Sequence, residues 1–204
     1  MEPLRRVESL AVPLGGANID TDQIVPAHYL QKPRSCNFGD FLFHDVRRRP
    51  DGSRRADFIL NDDRYDGAQI LVAGRNFGCG SSREHAVWAL YDGGFRAIIA
   101  AGFGDIFRSN ALKNGLLPVE LPEPTVESLL DSLRGDPRAT VVVDLVAEVV
   151  TLPDGERHPF TVDAFARHCL IEGIDEIGYT LSQLDRIEAY ERGSGMSRRP
   201  GERQ

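Results

Sequence analysis

The stretch that decides the fold covers residues 70–90 and consists of ILVAGRNFGCGSSREHAVWAL. Its first four residues are apolar, as in a short buried strand, and a glycine-rich turn and a helical pattern follow. The first N–H groups of a helix have no partner within the helix, so a junction of this kind favours an anion. Ser81 and Ser82 add two hydroxyls, and Arg83 adds a guanidinium fork that suits a carboxylate. The stretch therefore predicts a carboxylate or phosphate site.

The chain on either side predicts a single compact α/β domain, in which a mixed sheet is flanked by helices. We expect further strands at residues 58–60, 95–101, 116–121, 140–145 and 148–152. We expect helices at residues 82–91, 105–113, 126–133, 161–170 and 175–190. The apolar face of the last helix contains Ile177, Leu181, Leu184 and Ile187. Strands alternate with helices through the middle of the chain, and the last two strands form an antiparallel pair.

The composition excludes several classes of protein. The chain has 204 residues, 41% of them hydrophobic, which suits one soluble domain with a proper core. A net charge of −7 argues against nucleic acid as a partner. No apolar run reaches the ~20 residues of a membrane span, and the N-terminus does not resemble a signal peptide. We expect a cytoplasmic protein.

The cysteines and histidines do not predict a metal site in this chain. Cys36, Cys79 and Cys169 are far apart and form no C-x-x-C pair, so we expect free thiols in a reducing compartment. His28 and His85 have no histidine or carboxylate at ligand spacing. We therefore expect no metal and no cofactor bound by this chain alone.

A simpler explanation competes for the motif at the start of the helix. Ser81 and Glu84 have the S-x-x-E spacing of a capping box, which stabilises a helix start without any ligand. His85 would then lie on a solvated helix face. Two phosphate-binding motifs are excluded, because no Gly-Lys-Ser/Thr follows the turn and the G-x-G-x-x-G order is absent.

Four ordered segments together resemble the swivelling domain of the aconitase superfamily. They are NIDTDQIVP at residues 18–26, GCGSSREHA at 78–86, GFRAII at 94–99 and GDIFRSNA at 104–111. The resemblance covers residues 1–190 and implies a swivelling β/β/α-type domain. Residues 28–57 correspond to a mobile segment that helps to recognise the substrate, and we call them the recognition segment. We expect residues 191–204 to form a disordered polar tail.

Within this superfamily, a chain of this length resembles the small subunit of a two-chain hydro-lyase. The resemblance implies that a separate large subunit carries a [4Fe–4S] cluster and forms a heterodimer or heterotetramer with this chain. The implied reaction converts 2-isopropylmalate into 3-isopropylmalate through isopropylmaleate, a step of leucine biosynthesis. A related dehydratase acting on citraconate, 2,3-dimethylmalate or homoaconitate is an alternative, as is a non-catalytic anion-binding module.

The same resemblance implies roles for individual residues. Ser81 corresponds to the serine that removes the proton next to a substrate carboxylate. The positions that hold or reach the substrate are Ser82, Arg83, Thr21 and Asp22. Arg34 is a candidate contact to the substrate's side chain, although a solvated loop explains it equally well. The arginines of residues 47–55 are expected to form a solvated basic loop rather than a nucleic-acid patch.

Overall fold

Seven strands form one mixed sheet in the computed structural model, which describes residues 1–193. They are β1 (Arg6–Gly15), β2 (Ile70–Ala73), β3 (Ala97–Ala100), β4 (Leu117–Glu120), β5 (Thr140–Asp144), β6 (Val149–Thr151) and β7 (Arg157–Pro159). Their order across the sheet is β4-β3-β2-β1-β5-β6-β7. Strands β1 to β4 are parallel to one another, and β5 to β7 continue the sheet in antiparallel pairs. The predicted α/β domain with a mixed sheet is confirmed.

The helices lie on both faces of this sheet. The α-helices are α1 (Thr21–Ile24), α2 (His44–Arg47), α3 (Glu84–Asp92), α4 (Asp105–Lys113), α5 (Glu123–Gly135), α6 (Ala164–Glu172), α7 (Glu176–Ser182) and α8 (Leu184–Gly193). Short 3-10 helices cover Ala27–Tyr29, Phe38–Phe41, Ile59–Asn61 and Asp63–Tyr65. Within residues 1–193, no helix combines the length and the hydropathy that crossing a bilayer requires.

Two apolar cores cover the two faces, because successive side chains of a strand point to opposite sides. In β2, Leu71 and Ala73 belong to the core under α3 and α4, whereas Ile70 and Val72 belong to the core under α5 and α6. All four side chains are fully buried, which explains why β2 is a continuous apolar run rather than an alternating one. The recognition segment packs on the first core through buried Phe38, so it lies on the same face as α3.

Three parts of the predicted secondary structure differ from the observed one. Residues 58–60 were expected to form a strand, but Ile59–Asn61 is a 3-10 helix. The predicted last helix is two helices, α7 and α8, and its expected apolar face is exposed, with Ile177 70% and Leu181 62% accessible. Strand β7 was not predicted. Of the predicted tail, residues 191–193 belong to α8, and 194–204 lie outside the described residues.

Candidate functional site

The carboxyl ends of β1, β2 and β3 meet at one edge of the sheet, and backbone hydrogen bonds join the loops that leave them. The amide of Gly78 donates to Ile19 O at 2.7 Å, and the amide of Thr21 donates to Cys79 O at 3.0 Å. Phe77 joins the third loop, since its amide donates to Gly102 O at 2.9 Å. In open α/β sheets, ligands bind at this edge. The motifs that begin at residues 18, 78 and 104 are therefore neighbours in space, as one site would require.

Two glycines shape the turn that leads into α3. Gly78 has φ +72°, and a Cβ at this position would lie 2.2 Å from Cγ of Phe107. Gly80 has φ +90°, but a Cβ there would meet its nearest atom, Cβ of Asp20, at 3.4 Å. Both angles lie in the left-handed region that glycine adopts at little cost. Gly78 is therefore needed both for its left-handed backbone angle and for close packing on Phe107, whereas Gly80 is needed only for its backbone angle.

Helix α3 begins without a side-chain cap. Its N-cap residue is Arg83, which has extended backbone angles, and no side chain caps the helix from this position. The alternative explanation of a capping box is wrong, because Ser81 lies two residues before the N-cap rather than at it. The free amides of the first turn keep their partial positive charge available to an anion. The Glu84 carboxylate does not cap these amides, since its Oε1 accepts a hydrogen bond from Nδ2 of Asn114 at 2.8 Å.

Ser81 and Ser82 are both exposed at this helix start, and Arg83 lies beside them with its side chain only 15% accessible. The Arg83 guanidinium donates to Oδ1 of Asp22, whose side chain is 50% accessible. This ion pair holds a largely buried positive charge next to two exposed hydroxyls. The group has an open face that a second protein can cover.

Thr21 lies beneath this group rather than on its surface. Its side chain is buried, with 1% accessible, and its hydroxyl donates to the backbone oxygen of Ser81 at 2.8 Å. Together with the amide bond from Thr21 to Cys79, this bond fixes the backbone that carries Ser81. The structure thus brings Thr21, Asp22 and the 81–83 segment together, with the Thr21 hydroxyl turned to the protein.

Arg34 lies at the other end of α3. Its guanidinium donates to both carboxylate oxygens of Asp92, at 2.8 and 3.0 Å, and lies over the Trp88 ring at 5.2 Å. Asp92 also accepts the amide of Phe38 at 2.9 Å. Because Asp92 is the last residue of a nine-residue helix, Arg34 is separated from the helix start by ~12 Å along the axis. In this conformation Arg34 ties the recognition segment to α3 and is not part of the helix-start group.

His85 lies inside the motif at the helix start, and its packing role was not predicted from the sequence. Its ring packs 4.5 Å from Trp88 and 5.5 Å from Phe38, centroid to centroid, so it is not on a solvated face. Partial burial lowers its pKa, against the opposing effects of Glu84 and of a hydrogen bond to the Leu30 backbone. His85 therefore joins the helix start to the recognition segment. Its position inside the SREHA motif was the one signal available in the sequence.

The basic loop has structural roles within the recognition segment. Arg47 donates to Oδ1 of Asn61 and to the backbone oxygen of Leu60, and Nδ2 of the Asn61 side chain donates to Arg47 O at 2.8 Å. Arg55 forms an ion pair with Asp57 at 2.9 Å. Arg47 is therefore half-buried and bonded within the chain rather than solvated as the sequence predicted, whereas Arg54 and Arg55 are exposed.

The cysteines show no sign of a cluster site. Cys36, Cys79 and Cys169 are free, and among residues 1–193 they do not come together as a group of ligands. Iron–sulfur clusters are held mainly by several thiolates. The donor set of the described residues does not fit such a cluster.

Comparisons with known proteins agree with this geometry. Residues 1–124 match the family model described as Aconitase C-terminal domain, and residues 127–164 match the model described as LeuD_N. The 3-isopropylmalate dehydratase small subunit of Anaeromyxobacter dehalogenans is 52% identical over 193 residues, or 95% of this chain and 99% of that one. The protein of the same name from Rhodospirillum centenum is 50% identical over 94% of both chains.

A solved structure shares the fold. The crystal structure of 3-isopropylmalate dehydratase (leuD) from Methanocaldococcus jannaschii aligns with a TM-score of 0.65 and covers 91% of this chain and 99% of that one. At 23% identity, this likeness supports the architecture alone. The fold and the match over residues 1–124 define the class, an aconitase-type domain. Given identities near 50% over nearly full length, the chain belongs to the family of 3-isopropylmalate dehydratase small subunits.

Proposed function

We propose that this chain is the small subunit of a hydro-lyase that interconverts 2-isopropylmalate and 3-isopropylmalate through isopropylmaleate, in leucine biosynthesis. The family relationship supports the reaction, since the relatives carry that enzyme's name over almost their whole length. The observation that carries the proposal is the uncapped start of α3, where exposed Ser81 and Ser82 lie beside Arg83. This is a site for a carboxylate with a hydroxyl within reach.

The reaction needs a base next to a held carboxylate. Dehydration removes a proton from the carbon beside one carboxylate and hydroxide from the neighbouring carbon, which leaves isopropylmaleate and water. Rehydration returns the hydroxyl and the proton to the opposite carbons. In our proposal Ser81 takes and returns the proton, while Ser82 and Arg83 hold the carboxylate by charge-assisted hydrogen bonds.

Energetics indicate that the chain is inactive alone. Lowering the pKa of a serine hydroxyl by about five units requires ~7 kcal/mol of preferential stabilisation of the alkoxide. A helix N-terminus supplies only ~0.3–2 kcal/mol, and exposed Ser81 is in contact with water, which weakens the contribution of Arg83. The remainder has to come from a closed, water-free interface with a second protein.

That second protein, in our proposal, is a LeuC-type large subunit in a heterodimer or heterotetramer. Its [4Fe–4S] cluster would act as the Lewis acid that binds the substrate's hydroxyl and carboxylate. This chain would contribute the helix-start group and a domain of residues 1–190 that closes over the cluster. The free cysteines of this chain support a cytoplasmic, reducing location.

The roles of the remaining predicted residues follow from where they lie. Asp22 holds the Arg83 guanidinium towards the open face, and Thr21 positions the backbone of Ser81. Arg34 reaches the substrate's side chain only if the recognition segment moves and the ion pair with Asp92 opens. Mobility of this segment is therefore part of the proposal, and substrate choice among related hydroxy-diacids depends on it.

The test is to co-express the chain with the presumptive large subunit, reconstitute iron and sulfide without oxygen, and assay unsaturated diacids of different side-chain size. Ser81→Ala should lower kcat by at least ~10²-fold, as expected for loss of a general base. Its melting temperature should not change, because the Ser81 hydroxyl does not cap α3. Ser132→Ala, an exposed serine on α5, is the matched control and should retain full activity.

Two outcomes would contradict the proposal. Turnover of Ser81→Ala at the wild-type rate would remove Ser81 from the chemistry. A wild-type pair that turns over no diacid, while the small subunit alone binds a dicarboxylate, would favour the non-catalytic anion-binding module instead. Preference for a smaller diacid such as citraconate would keep the mechanism and change the substrate.

A further inference from the structure

The fold brings two histidines and an aspartate together at the base of the recognition segment. The Nδ1 atom of His44 lies 3.0 Å from Oδ1 of Asp45, and the Nε2 atom of His28 lies 4.0 Å from the same oxygen. One ligand atom from each residue lies within 4.8 Å of the other two. Among residues 1–193, this is the one group of three or more such side chains close enough to share an ion.

The chemistry of these three donors suits a divalent transition metal. Imidazole nitrogen and carboxylate oxygen bind Zn²⁺ at about 2.0–2.2 Å. Tetrahedral geometry then separates two ligand atoms by roughly 3.4 Å, which lies between the two observed distances. The His28 and Asp45 side chains are 58% and 60% accessible, so an ion can enter and a water molecule can complete its coordination. The three ligand atoms lie within 4.8 Å of one another, so small rotations of exposed side chains can bring them to coordination distance.

We propose that His28, His44 and Asp45 bind one divalent transition-metal ion, with Zn²⁺ as the best fit. Imidazole-rich sites favour zinc, copper and nickel over magnesium or calcium. This ion would be separate from any cluster on a partner, because none of its ligands is a cysteine and none belongs to the helix-start group. The sequence spacing argued against a metal at His28, because His44 and Asp45 belong to another part of the chain and only the fold brings them close.

The position of the site gives the ion a specific effect. His28 belongs to the 3-10 helix Ala27–Tyr29, and His44 and Asp45 begin α2, so the ligands bracket residues 29–43 of the recognition segment. The two ends are already in contact, since the Tyr29 ring stacks on Phe41 at 4.2 Å and packs 5.1 Å from the His44 ring. A bound metal would join these ends by coordinate bonds, as a staple at the base of the loop. The bracketed loop would lose conformational freedom that it keeps in the metal-free chain.

Metal binding is tested on the isolated full-length chain, independently of any catalytic activity. Isothermal titration with Zn²⁺ should show one equivalent bound per chain. His28→Gln and His44→Gln should each weaken binding by at least about tenfold, since loss even of an outer-shell partner costs that much. His168→Gln, an exposed histidine beside Tyr179, is the matched control and should bind zinc like the wild type. Cys36→Ser and Cys79→Ser should also bind normally, which separates this site from adventitious thiol binding.

The staple is tested by hydrogen–deuterium exchange of residues 30–43 with and without zinc. Zinc should slow exchange there in the wild type and in His168→Gln, but not in His28→Gln. Zinc binding that survives in both His28→Gln and His44→Gln, or that disappears only in the cysteine variants, would overturn the site. Stoichiometric binding without any change in exchange would overturn the staple. Neither measurement depends on the proposed function, so the two proposals can fail separately.

Discussion

Replacing Thr21 by valine tests how the site is built, because the substitution removes one hydroxyl and keeps the shape of the side chain. The hydroxyl is buried and donates to the Ser81 backbone oxygen at 2.8 Å. Loss of a hydrogen bond of this kind costs about 1 kcal/mol, since exposed Ser81 lets water reach the freed oxygen. For a chain of this size, the melting temperature should fall by about 2–4 °C.

The effect on turnover should be much larger than the effect on stability. Without the Thr21 bond, the Ser81 segment is free to shift, and a displacement of about 1 Å at a catalytic group can cost ~10²-fold in rate. The assay is kcat of the reconstituted two-subunit enzyme. We expect a lower kcat with little change in KM, because Thr21 does not face the open side of the site.

Thr21→Ser is the matched control. It keeps the hydroxyl and loses one buried methyl group, which costs a similar ~0.8 kcal/mol of stability. The two variants should therefore melt at similar temperatures but differ in turnover, with serine close to wild type. Equal turnover would refute the positioning role. A raised KM with unchanged kcat in Thr21→Val would show instead that Thr21 contacts substrate directly.

The remaining predictions concern the turn and the helix start. Gly78→Ala should lower the free energy of unfolding by about 2–5 kcal/mol, because it adds left-handed strain and places a Cβ 2.2 Å from Cγ of Phe107. The control Gly52→Ala, at φ +82° with no atom within 4 Å, should cost only ~1–2 kcal/mol. Urea unfolding measures both losses, and equal losses would mean that packing on Phe107 is unimportant. Because burial lowers the pKa of His85, the unfolded chain takes up a proton at this residue first as the pH falls, so stability should fall from about pH 6.5 downwards and level off below the folded pKa. His85→Gln should flatten this part of the stability profile, measured by urea unfolding at several pH values, and an unchanged slope between about pH 7.5 and 5 would contradict the assignment.

The regular half of the fold was predictable because its signals are local. Helix α4 has the predicted bounds, and β2 and β3 lie inside the predicted apolar runs. The strand predicted at residues 58–60 is a 3-10 helix instead, because the apolar side chains there are followed by polar residues that bond to the backbone. Asn61 donates to the backbone oxygens of Arg47 and Arg55, and Asp62 accepts the amide of Arg64 at 3.0 Å. Such bonds favour turns over strands.

The site was predictable as a list of residues but not as an arrangement. Thr21, Asp22 and the 81–83 segment come together because their loops leave adjacent strands. Which atoms pair depends on the fold, since Arg83 and Asp22 are 61 residues apart and Arg34 and Asp92 are 58. No local pattern could show that the Arg34 guanidinium is held by Asp92, or that the Thr21 hydroxyl turns inward.

The place of β1 in the sheet has a consequence for biosynthesis. This strand leaves the ribosome before both of its neighbours, β2 at residues 70–73 and β5 at residues 140–144. At roughly 5–20 residues per second, β2 follows β1 after about 5 s and β5 after about 10 s, and until β5 is made one edge of β1 has no partner from the same chain. An unpaired strand edge is prone to pair with other chains, so the yield of this protein in the cell should respond to translation speed more than its equilibrium stability would suggest.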